Sequence, residues 1–319
     1  MSLQNDSGAV VVVGSYNYDL LFRTSTLPGM GETCLGEVAF AHGGKGFNQA
    51  VAAARLGAPT VFIGALGQDA FAEEVRKFAG EESICACWEL SADVPTGLAS
   101  VAVDGEGNNQ IIVAPGANAR LSADHVMSNM PGNPAIVMTQ LECNREASVA
   151  ALARVRDAGG IGILNPAPAT TGLADLLATA TVVTPNQSEF SALLGELAGE
   201  IVRPDWDQSE RLHDQARMLG VDTVVVTLGE AGCFVSHAPD SRFEAAAPFY
   251  HVQGLPADVV DTTGAGDCFN GALAAALQRD AVDFDAACRF ANQAAARSVT
   301  RNGAAPSMPR LEDLRLDRS

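Results

Sequence analysis

The sequence predicts an α/β fold: a doubly wound, mostly parallel sheet with a small β-sheet projecting from it as a lid. Short β-branched apolar runs alternate with helical patterns along most of the chain, and two stretches of β pattern interrupt this alternation. Such alternation is typical of a parallel sheet covered by helices on both faces. No linker or low-complexity segment divides the 319 residues, so we expect one domain over residues 1–319.

The first element is the run Ala9–Val13, which is apolar, β-branched and ends at a glycine. Runs of this kind are typical of strands buried on both faces. Further strands are expected over residues 60–64, 135–139, 161–164, 181–184 and 223–227. Helices are expected over residues 46–56, 71–79, 146–158, 187–194 and 208–219, over 272–277 with its entry loop at 264–267, and from 283 onward.

The lid is expected over residues 18–42 and 96–114, which contain β patterns and turn signals but no helical pattern. The second stretch holds a hairpin tip, Asp104–Asn108, between two apolar runs. A projecting sheet of this kind covers a ligand, pairs two chains, or does both.

Composition excludes several classes of function. Acidic residues number 38 against 20 basic ones, a net charge of −18, which argues against a nucleic-acid surface. No apolar run is long enough to span a bilayer, and seven scattered cysteines indicate free thiols in the cytoplasm. The negative charge also opposes anionic substrates, so a nucleotide would have to be held by local amides, helix dipoles and magnesium.

The most informative segment is the loop that precedes the apolar helix near the C-terminus. The amides of Gly264, Ala265, Gly266 and Asp267 are expected at a helix N-terminus, where free N–H groups and the helix dipole stabilise an anion. Asp267 adds a carboxylate beside this anion hole. Transfer of a phosphoryl group to a hydroxyl requires both an anion hole and a proton acceptor.

Polar residues that could bind hydroxyl groups follow several expected strands. Asn17 and Asp19 come after the first strand, Lys45 and Asn48 lie in a glycine-rich helix entry, and Glu142 follows the strand ending at 139. The carboxyl ends of parallel strands are where open α/β sheets bind ligands. Taken singly, each also fits a simple turn, an exposed lysine or a solvated loop acid.

Asn186 and Glu189 lie one helical turn apart, after another expected strand. They could hold a hydrated magnesium ion near phosphates, or Asn186 could simply cap the helix. The segment Thr227–Gly232 joins two apolar strands. It is interpreted either as a tight hairpin or as a flexible wall over a nucleotide.

Together these motifs resemble the ribokinase (PfkB) family of sugar kinases, nearly from end to end. The segments 43–50 and 261–271 are similar to the family's N-terminal and C-terminal signatures, and the second is highly specific. The stretches 95–97, 116–118, 164–168 and 300–307 are similar to the ribokinase branch of the family.

The resemblance implies ATP-dependent phosphorylation of the 5-hydroxyl of D-ribose with Asp267 as base, Mg²⁺ bound with ATP, a K⁺-type activator and a homodimer paired through the lid. It implies the following sites: sugar at Asn17, Asp19, Gly44, Lys45, Asn48 and Glu142; ATP at Asn186, Thr227, Gly229, Glu230, Gly232, Gly266 and Asn292; magnesium at Asn186 and Glu189; and the monovalent cation at Asp261, Thr263, Ser298, Arg301, Gly303 and Ser307, mostly through backbone oxygens.

The sequence departs from the family pattern near the sugar. Tyr16 and Tyr18 flank Asn17, His42 precedes the glycines, and Phe47 replaces a small residue. We expect this bulk to narrow or reshape the pocket, or to stack on a base. Alternative functions are therefore a nucleoside or other sugar kinase, or a sugar-binding regulator without catalysis. A dehydrogenase is disfavoured because no Gly-x-Gly-x-x-Gly follows the first strand.

Overall fold

The computed structural model describes residues 8–279 and 283–315 of the chain, and this part contains thirteen strands and ten helices. The strands are β1 (Val10–Val13), β2 (Asn17–Thr24), β3 (Gly36–Gly43), β4 (Thr60–Gly67), β5 (Cys85–Ser91), β6 (Leu98–Val103), β7 (Asn109–Ala114), β8 (Ile136–Thr139), β9 (Ile161–Leu164), β10 (Val182–Val183), β11 (Thr223–Thr227), β12 (Gly232–His237) and β13 (Phe249–Gln253). The helices are α1 (Lys45–Arg55), α2 (Ala70–Glu81), α3 (Ala123–Asn129), α4 (Arg145–Asp157), α5 (Ala174–Thr179), α6 (Gln187–Ala198), α7 (Ser209–Arg217), α8 (Ala265–Leu277), α9 (Phe284–Ser298) and α10 (Leu311–Arg315).

Nine strands form one sheet in the order β13-β12-β11-β10-β9-β8-β1-β4-β5. The seven strands from β11 to β5 in this order are parallel, and β12 pairs antiparallel with both of its neighbours. The predicted doubly wound, mostly parallel sheet is thus confirmed.

The central strand β1 shows why both faces of the sheet are covered. Val10 and Val12 pack into a core that includes residues of α1, α8 and α9, whereas Val11 and Val13 pack into a core on the other face, formed with α4. Because side chains alternate across a strand, a run of four valines is buried only when helices cover both faces.

The order of the strands also indicates where a ligand would bind. The chain proceeds from β1 to β4 on one side and from β8 to β9 on the other, so the winding reverses between β1 and β8. Open α/β sheets bind ligands beyond the carboxyl ends of strands at such a reversal. The segments after β1 and β8, which contain Asn17 and Glu142, therefore meet at the expected binding crevice.

The second sheet has four strands in the order β3-β2-β6-β7, and we call it the lid sheet. Asn17 pairs with Gly43 at its inner end, where the sheet leaves the main body. The predicted hairpin is present: β6 pairs antiparallel with β7 around a turn in which the carboxylate of Asp104 accepts from the amides of Glu106 and Asn108.

Several elements were not predicted from the sequence. The edge strand β5 is one of them: its side chains are mostly half-buried instead of continuously apolar. Short elements such as α5 and β13 likewise lack a clear periodic repeat of apolar residues. All seven cysteines are free thiols. Within the residues described, no helix is both long and apolar enough to cross a membrane.

Candidate active site

Helix α8 begins at a glycine that adopts a left-handed conformation. Gly264, the N-cap, has φ 77°, and a Cβ there would lie 3.2 Å from Ala304. Within the described residues, the amides of Gly266 and Asp267 have no acceptor, as the anion hole requires. The amide of Ala265 differs from expectation, because it donates to the Thr262 carbonyl at 3.2 Å and is engaged in the turn.

Asp267 lies in the first turn of α8 with its side chain buried. Two side-chain amides of α1 donate to its carboxylate: Asn48 Nδ2 contacts Oδ2 at 2.9 Å, and Gln49 Nε2 contacts Oδ1 at 3.2 Å. Burial raises the pKa of Asp267, and the nearby Lys45 ammonium and the amide donors offset this only in part. The result is a fixed carboxylate with an increased affinity for a proton.

The close packing of α1 and α8 makes these contacts possible. A Cβ on Gly271 would overlap with the Gln49 carbonyl oxygen and lie 2.6 Å from Ala52 Cβ. Because Gly271 has no side chain, the two helices approach closely. This approach brings Asp267, one turn earlier in α8, within reach of the amides of α1.

The strand β2 carries Asn17 and Asp19 on the face that points toward Asp267. Asn17 is buried, and its Oδ1 accepts from Asn118 Nδ2 at 2.9 Å. Burial, together with the nearby carboxylates of Glu142 and Asp267, raises the pKa of Asp19 to about 7. A Cβ on Gly43 would overlap with the Asp19 carboxylate, so this glycine makes room for it.

Glu142 and Lys45 face each other across the entry of α1. The amide of Lys45 donates to Glu142 Oε2 at 3.0 Å, and Ser15 Oγ donates to the same oxygen at 2.7 Å. Asp267 raises the pKa of the Lys45 ammonium against the opposing effect of burial, and Glu142 raises it further. Gly44, the N-cap of α1, lies against β2, since a Cβ there would be 2.7 Å from the Asn17 amide.

The three aromatic residues expected beside the sugar are buried in the protein, so the expectation that they stack on a base is wrong. Tyr16 and Phe47 are fully buried in the core with ring centroids 5.2 Å apart. Tyr18 packs on Phe71 and donates to Glu74, and Tyr16 OH pairs with His42 Nδ1 at 2.8 Å. The period of two along a strand sends Asn17 and Asp19 to one face and Tyr18 to the other.

Asn186 and Glu189 form a reciprocal cap at the start of α6. Asn186 Oδ1 accepts from the Glu189 amide at 2.9 Å, and Glu189 Oε2 accepts from the Asn186 amide at 2.8 Å. The capping interpretation is therefore the one observed. Burial raises the pKa of Glu189, and its carboxylate interacts electrostatically with both Lys45 and Asp267, so it faces the same crevice.

A cavity of about 830 Å³ extends from the N-terminus of α8 toward α9. Six of the residues expected to bind the nucleotide line it, namely Thr227, Gly229, Glu230, Gly232, Gly266 and Asn292. Asn186 is not part of this lining, although it is bridged to Thr227. The predicted hairpin is also present, because β11 and β12 pair antiparallel around Gly229.

The two loops expected to bind a monovalent cation are joined by Asp261. Its Oδ1 accepts from the amide and hydroxyl of Thr263 at 2.9 and 2.6 Å, and its Oδ2 accepts from the Gly303 amide at 2.9 Å. Partial burial opposes ionisation, but these donors hold the pKa of Asp261 below its usual range. The Arg301 guanidinium pairs with Asp313, which leaves only the backbone of residue 301 for the cage.

The hydroxyls of Ser298 and Ser307, the two other expected members of the cage, donate to the carbonyls of Ala295 and Ala304, both at 2.8 Å. Because each hydroxyl uses its hydrogen in this bond, its oxygen lone pairs remain available to a cation. The arrangement is compatible with a cage made of hydroxyl, carboxylate and carbonyl oxygens.

Sequence reasoning missed several residues of the site. Ser15, Gln49 and Asn118 are buried polar residues that hold the carboxylates and Asn17 in place. The apolar wall of the cavity, which includes Leu255 and Phe269, was also missed. The sequence did contain a signal for Gln49, because polar residues inside an otherwise apolar helix such as α1 are expected to have hydrogen-bond partners when buried.

Transfer of a phosphoryl group to an alcohol needs a proton acceptor, an anion hole and a nearby nucleotide cavity, and this fold brings all three to one edge of the sheet. The protein is a phosphotransferase with an alcohol acceptor. The model of the pfkB family carbohydrate kinase matches residues 8–311, and the chain belongs to this family.

Full-length relatives agree with this assignment. The chain is 35% identical to the ribokinase of Haemophilus influenzae, over 95% of this chain and 96% of that protein, and 33% identical to that of Mus musculus, over 98% and 95%. The ribokinase structure from Thermotoga maritima has a TM-score of 0.84, at 31% identity over 97% and 98% of the two chains. The Arabidopsis thaliana ribokinase complexed with ribose and ATP has a TM-score of 0.82, at 31% identity over 97% of both. The predicted fold and family are confirmed.

Proposed function

We propose that this protein transfers the γ-phosphoryl group of ATP to the 5-hydroxyl of D-ribose. The observation that carries the proposal is the position of Asp267: its buried carboxylate accepts from Asn48, one of the side chains suited to bind hydroxyls, and its neighbour Gly266 lines the nucleotide cavity. The similarity to ribokinases, one of them complexed with ribose and ATP, supports D-ribose as the acceptor.

Asp267 acts as the proton acceptor. The sugar's 5-hydroxyl donates to its carboxylate, the hydroxyl oxygen attacks the γ-phosphorus, and the bond to the β-phosphate oxygen breaks in line. Asn48 and Gln49 hold the carboxylate in place for this step. The raised pKa of Asp267 suits a group that accepts a proton in this step and releases it after product departure.

The N-terminus of α8 stabilises the transferred group. The open amides of Gly266 and Asp267 and the helix dipole bind the oxygens on which negative charge develops. Magnesium bound with ATP would offset part of the phosphate charge. Glu189 could hold it through water, since its carboxylate faces the crevice while only one oxygen is used in the cap.

Asp19 and Asn17 bind the remaining sugar hydroxyls. Buried Asn48 Oδ1 has no partner among the residues described, so it is available to accept from a sugar hydroxyl. The burial of Tyr16, Tyr18 and Phe47 leaves no aromatic surface at this position for a nucleobase, which favours a sugar over a nucleoside. A K⁺ ion beside Asp261 would stabilise the loop that leads into the anion hole, and the free cysteines fit a cytoplasmic enzyme.

A panel of acceptors tests this function. ATP turnover, followed by a coupled assay, is expected to be fastest with ribose among ribose, 2-deoxyribose, fructose, adenosine and pseudouridine, and faster in K⁺ than in Na⁺. Faster turnover with a nucleoside would show that a nucleoside, and not ribose, is the acceptor in the same phosphoryl transfer. Ribose binding without turnover of ATP would indicate a sugar-binding regulator.

We also propose that the lid sheet pairs two copies of the chain. Leu20, Phe40 and Ile112 lie in one register row of this sheet, and Phe22 and Val38 lie in another on the same face. Phe40 and Ile112 are 59% and 73% exposed, and the others on this face are at least partly exposed. An exposed face that carries this many apolar side chains is typical of an interface.

Replacing Phe40 by serine tests the pairing. The Phe40→Ser protein is expected to sediment as a monomer at concentrations at which the unmodified chain is a dimer, because the apolar face loses the more exposed of its two phenylalanines. Ile201→Ser is the matched control, since Ile201 is exposed but lies outside the lid sheet. Equal sedimentation of all three proteins would refute pairing through this face.

A further inference from the structure

Gln49 makes three hydrogen bonds that join the elements around the active site. Its Nε2 donates to Asp267 Oδ1 and to Asn165 Oδ1, both at 3.2 Å, and its Oε1 accepts from Gln140 Nε2 at 2.6 Å. The side chain is fully buried in α1 and contacts neither cavity nor solvent. One amide therefore links the helix that carries Asp267 to the ends of β8 and β9.

The neighbours of Gln49 fix which end of its amide faces Asp267. Gln140 Nε2 donates to the oxygen of Gln49, and the NH₂ group of Gln49 points at the carboxylate. Asn165 is fixed in turn, because its Nδ2 donates to the Thr184 carbonyl at 3.0 Å and its Oδ1 must face Gln49. Rotation of the Gln49 amide would turn its oxygen toward Asn165 Oδ1 and Asp267 Oδ1, and these buried acceptors would lose their donor.

The ionised form of Asp267 has few other favourable partners. The carboxylates of Glu142, Asp19 and Glu189, on the elements that surround it, interact unfavourably with its charge, and Lys45 supplies the favourable charge. The Gln49 side chain presents its NH₂ group, and not its oxygen, to the carboxylate of Asp267. This donor stabilises the ionised form of Asp267 over the protonated form.

We propose that Gln49 is a positioning residue for the phosphoryl transfer: held by Gln140 and Asn165, its amide orients the Asp267 carboxylate toward the acceptor hydroxyl and keeps it ionised. The inference rests on the proposed function in that Asp267 is taken as the proton acceptor. Gln49 itself touches neither sugar nor nucleotide in this arrangement.

Replacing Gln49 by glutamate tests the proposal, because it preserves shape and places a second carboxylate against Asp267. The two groups would share a proton. We expect the acid limb of the pH profile of kcat, measured at saturating ribose and ATP, to move up by at least about one pH unit. Turnover should therefore be depressed at pH 7 and largely recovered at higher pH.

Gln215→Glu is the matched control, since it makes the same chemical change in α7, away from the site. It should leave the acid limb of the profile unchanged. Gln49→Met, which removes the donor without adding charge, should lower kcat about tenfold and raise the acid limb by a smaller amount. If folded Gln49→Glu and Gln49→Met proteins both keep the normal acid limb, Gln49 has only a structural role and the proposal is overturned.

A stability measurement separates this inference from the assignment of the base. In Gln49→Glu the folded state holds a proton that the unfolded chain has released, so the melting temperature should fall as pH rises from 6 to 8. In the Asp267→Asn background this added pH dependence should become clearly smaller, because only burial then raises the pKa of the introduced carboxyl. An undiminished pH dependence there would show that Gln49 does not act through Asp267, whatever the activity of either variant.

Discussion

Asp267→Asn is expected to lower kcat by a factor of about 10²–10⁴, the usual contribution of a positioned proton acceptor. Asparagine has nearly the same shape, but it cannot take the proton of the attacking hydroxyl. The amides of Gly266 and residue 267 remain in place, so binding of ATP should change little. The measurement is a coupled assay of turnover with ribose, together with titration of ATP.

The control for this substitution is Asp124→Asn, at an exposed position in the first turn of α3. It removes a carboxylate from a helix N-terminus as Asp267→Asn does, and turnover should be unaffected. A folded Asp267→Asn protein with near-normal kcat would refute the role of Asp267 as the base.

Asp19→Ala is expected to reduce kcat/KM for ribose about a hundredfold, with most of the loss in KM. The carboxylate is suited to accept from two neighbouring sugar hydroxyls, and a hydrogen bond to a charged group contributes about 1.5–3 kcal/mol. Asp93→Ala, an exposed position before the lid strand β6, is the matched control. An unchanged KM in the Asp19→Ala protein would remove this residue from the sugar site.

The pH dependence of kcat/KM provides a second readout of the same residue. Since the pKa of Asp19 is about 7 in the free protein, the carboxyl is neutral below this pH and a weaker acceptor for sugar hydroxyls. We expect kcat/KM for ribose to rise as pH increases through about 7, and this rise should be lost in Asp19→Ala. A profile that is flat in this range in the unmodified protein would contradict the assignment.

Much of the fold could be predicted because its signals are local. The four valines of β1 indicate a strand buried on both faces, and the glycine at 264 marks the entry of α8. The strand β5 could not be predicted in this way, since its burial comes from pairing with β4 and from helices distant in sequence. Its seven residues show no strict alternation of buried and exposed positions.

The site residues that could be predicted from the sequence are those for which both the side-chain chemistry and the position in the predicted fold indicate a ligand. Asp267 is such a case, because its carboxylate follows a small-residue loop that leaves amides free at the start of an apolar helix, and both features are visible in the sequence. The aromatic residues were misjudged because closeness in sequence to Asn17 was taken for closeness to the sugar. The alternation of side chains along β2 sends Tyr18 to the opposite face, beside Phe71.

Other parts of the site could not be derived from residue types. The amide of Ala265 is engaged by a turn whose geometry depends on the Thr262 carbonyl. A cage of backbone oxygens for a cation leaves no trace in side-chain chemistry, and only family resemblance suggested it. The network of Gln49 depends on tertiary contacts between α1, α8 and the strand ends.

A crystal structure with ribose and a non-hydrolysable ATP analogue tests the central claim most directly. The account predicts that a carboxylate oxygen of Asp267 lies within about 2.6–3.2 Å of the ribose 5-hydroxyl, with the γ-phosphate at the amides of Gly266 and Asp267. A 5-hydroxyl directed away from Asp267, or a γ-phosphate bound elsewhere than at the start of α8, would contradict it.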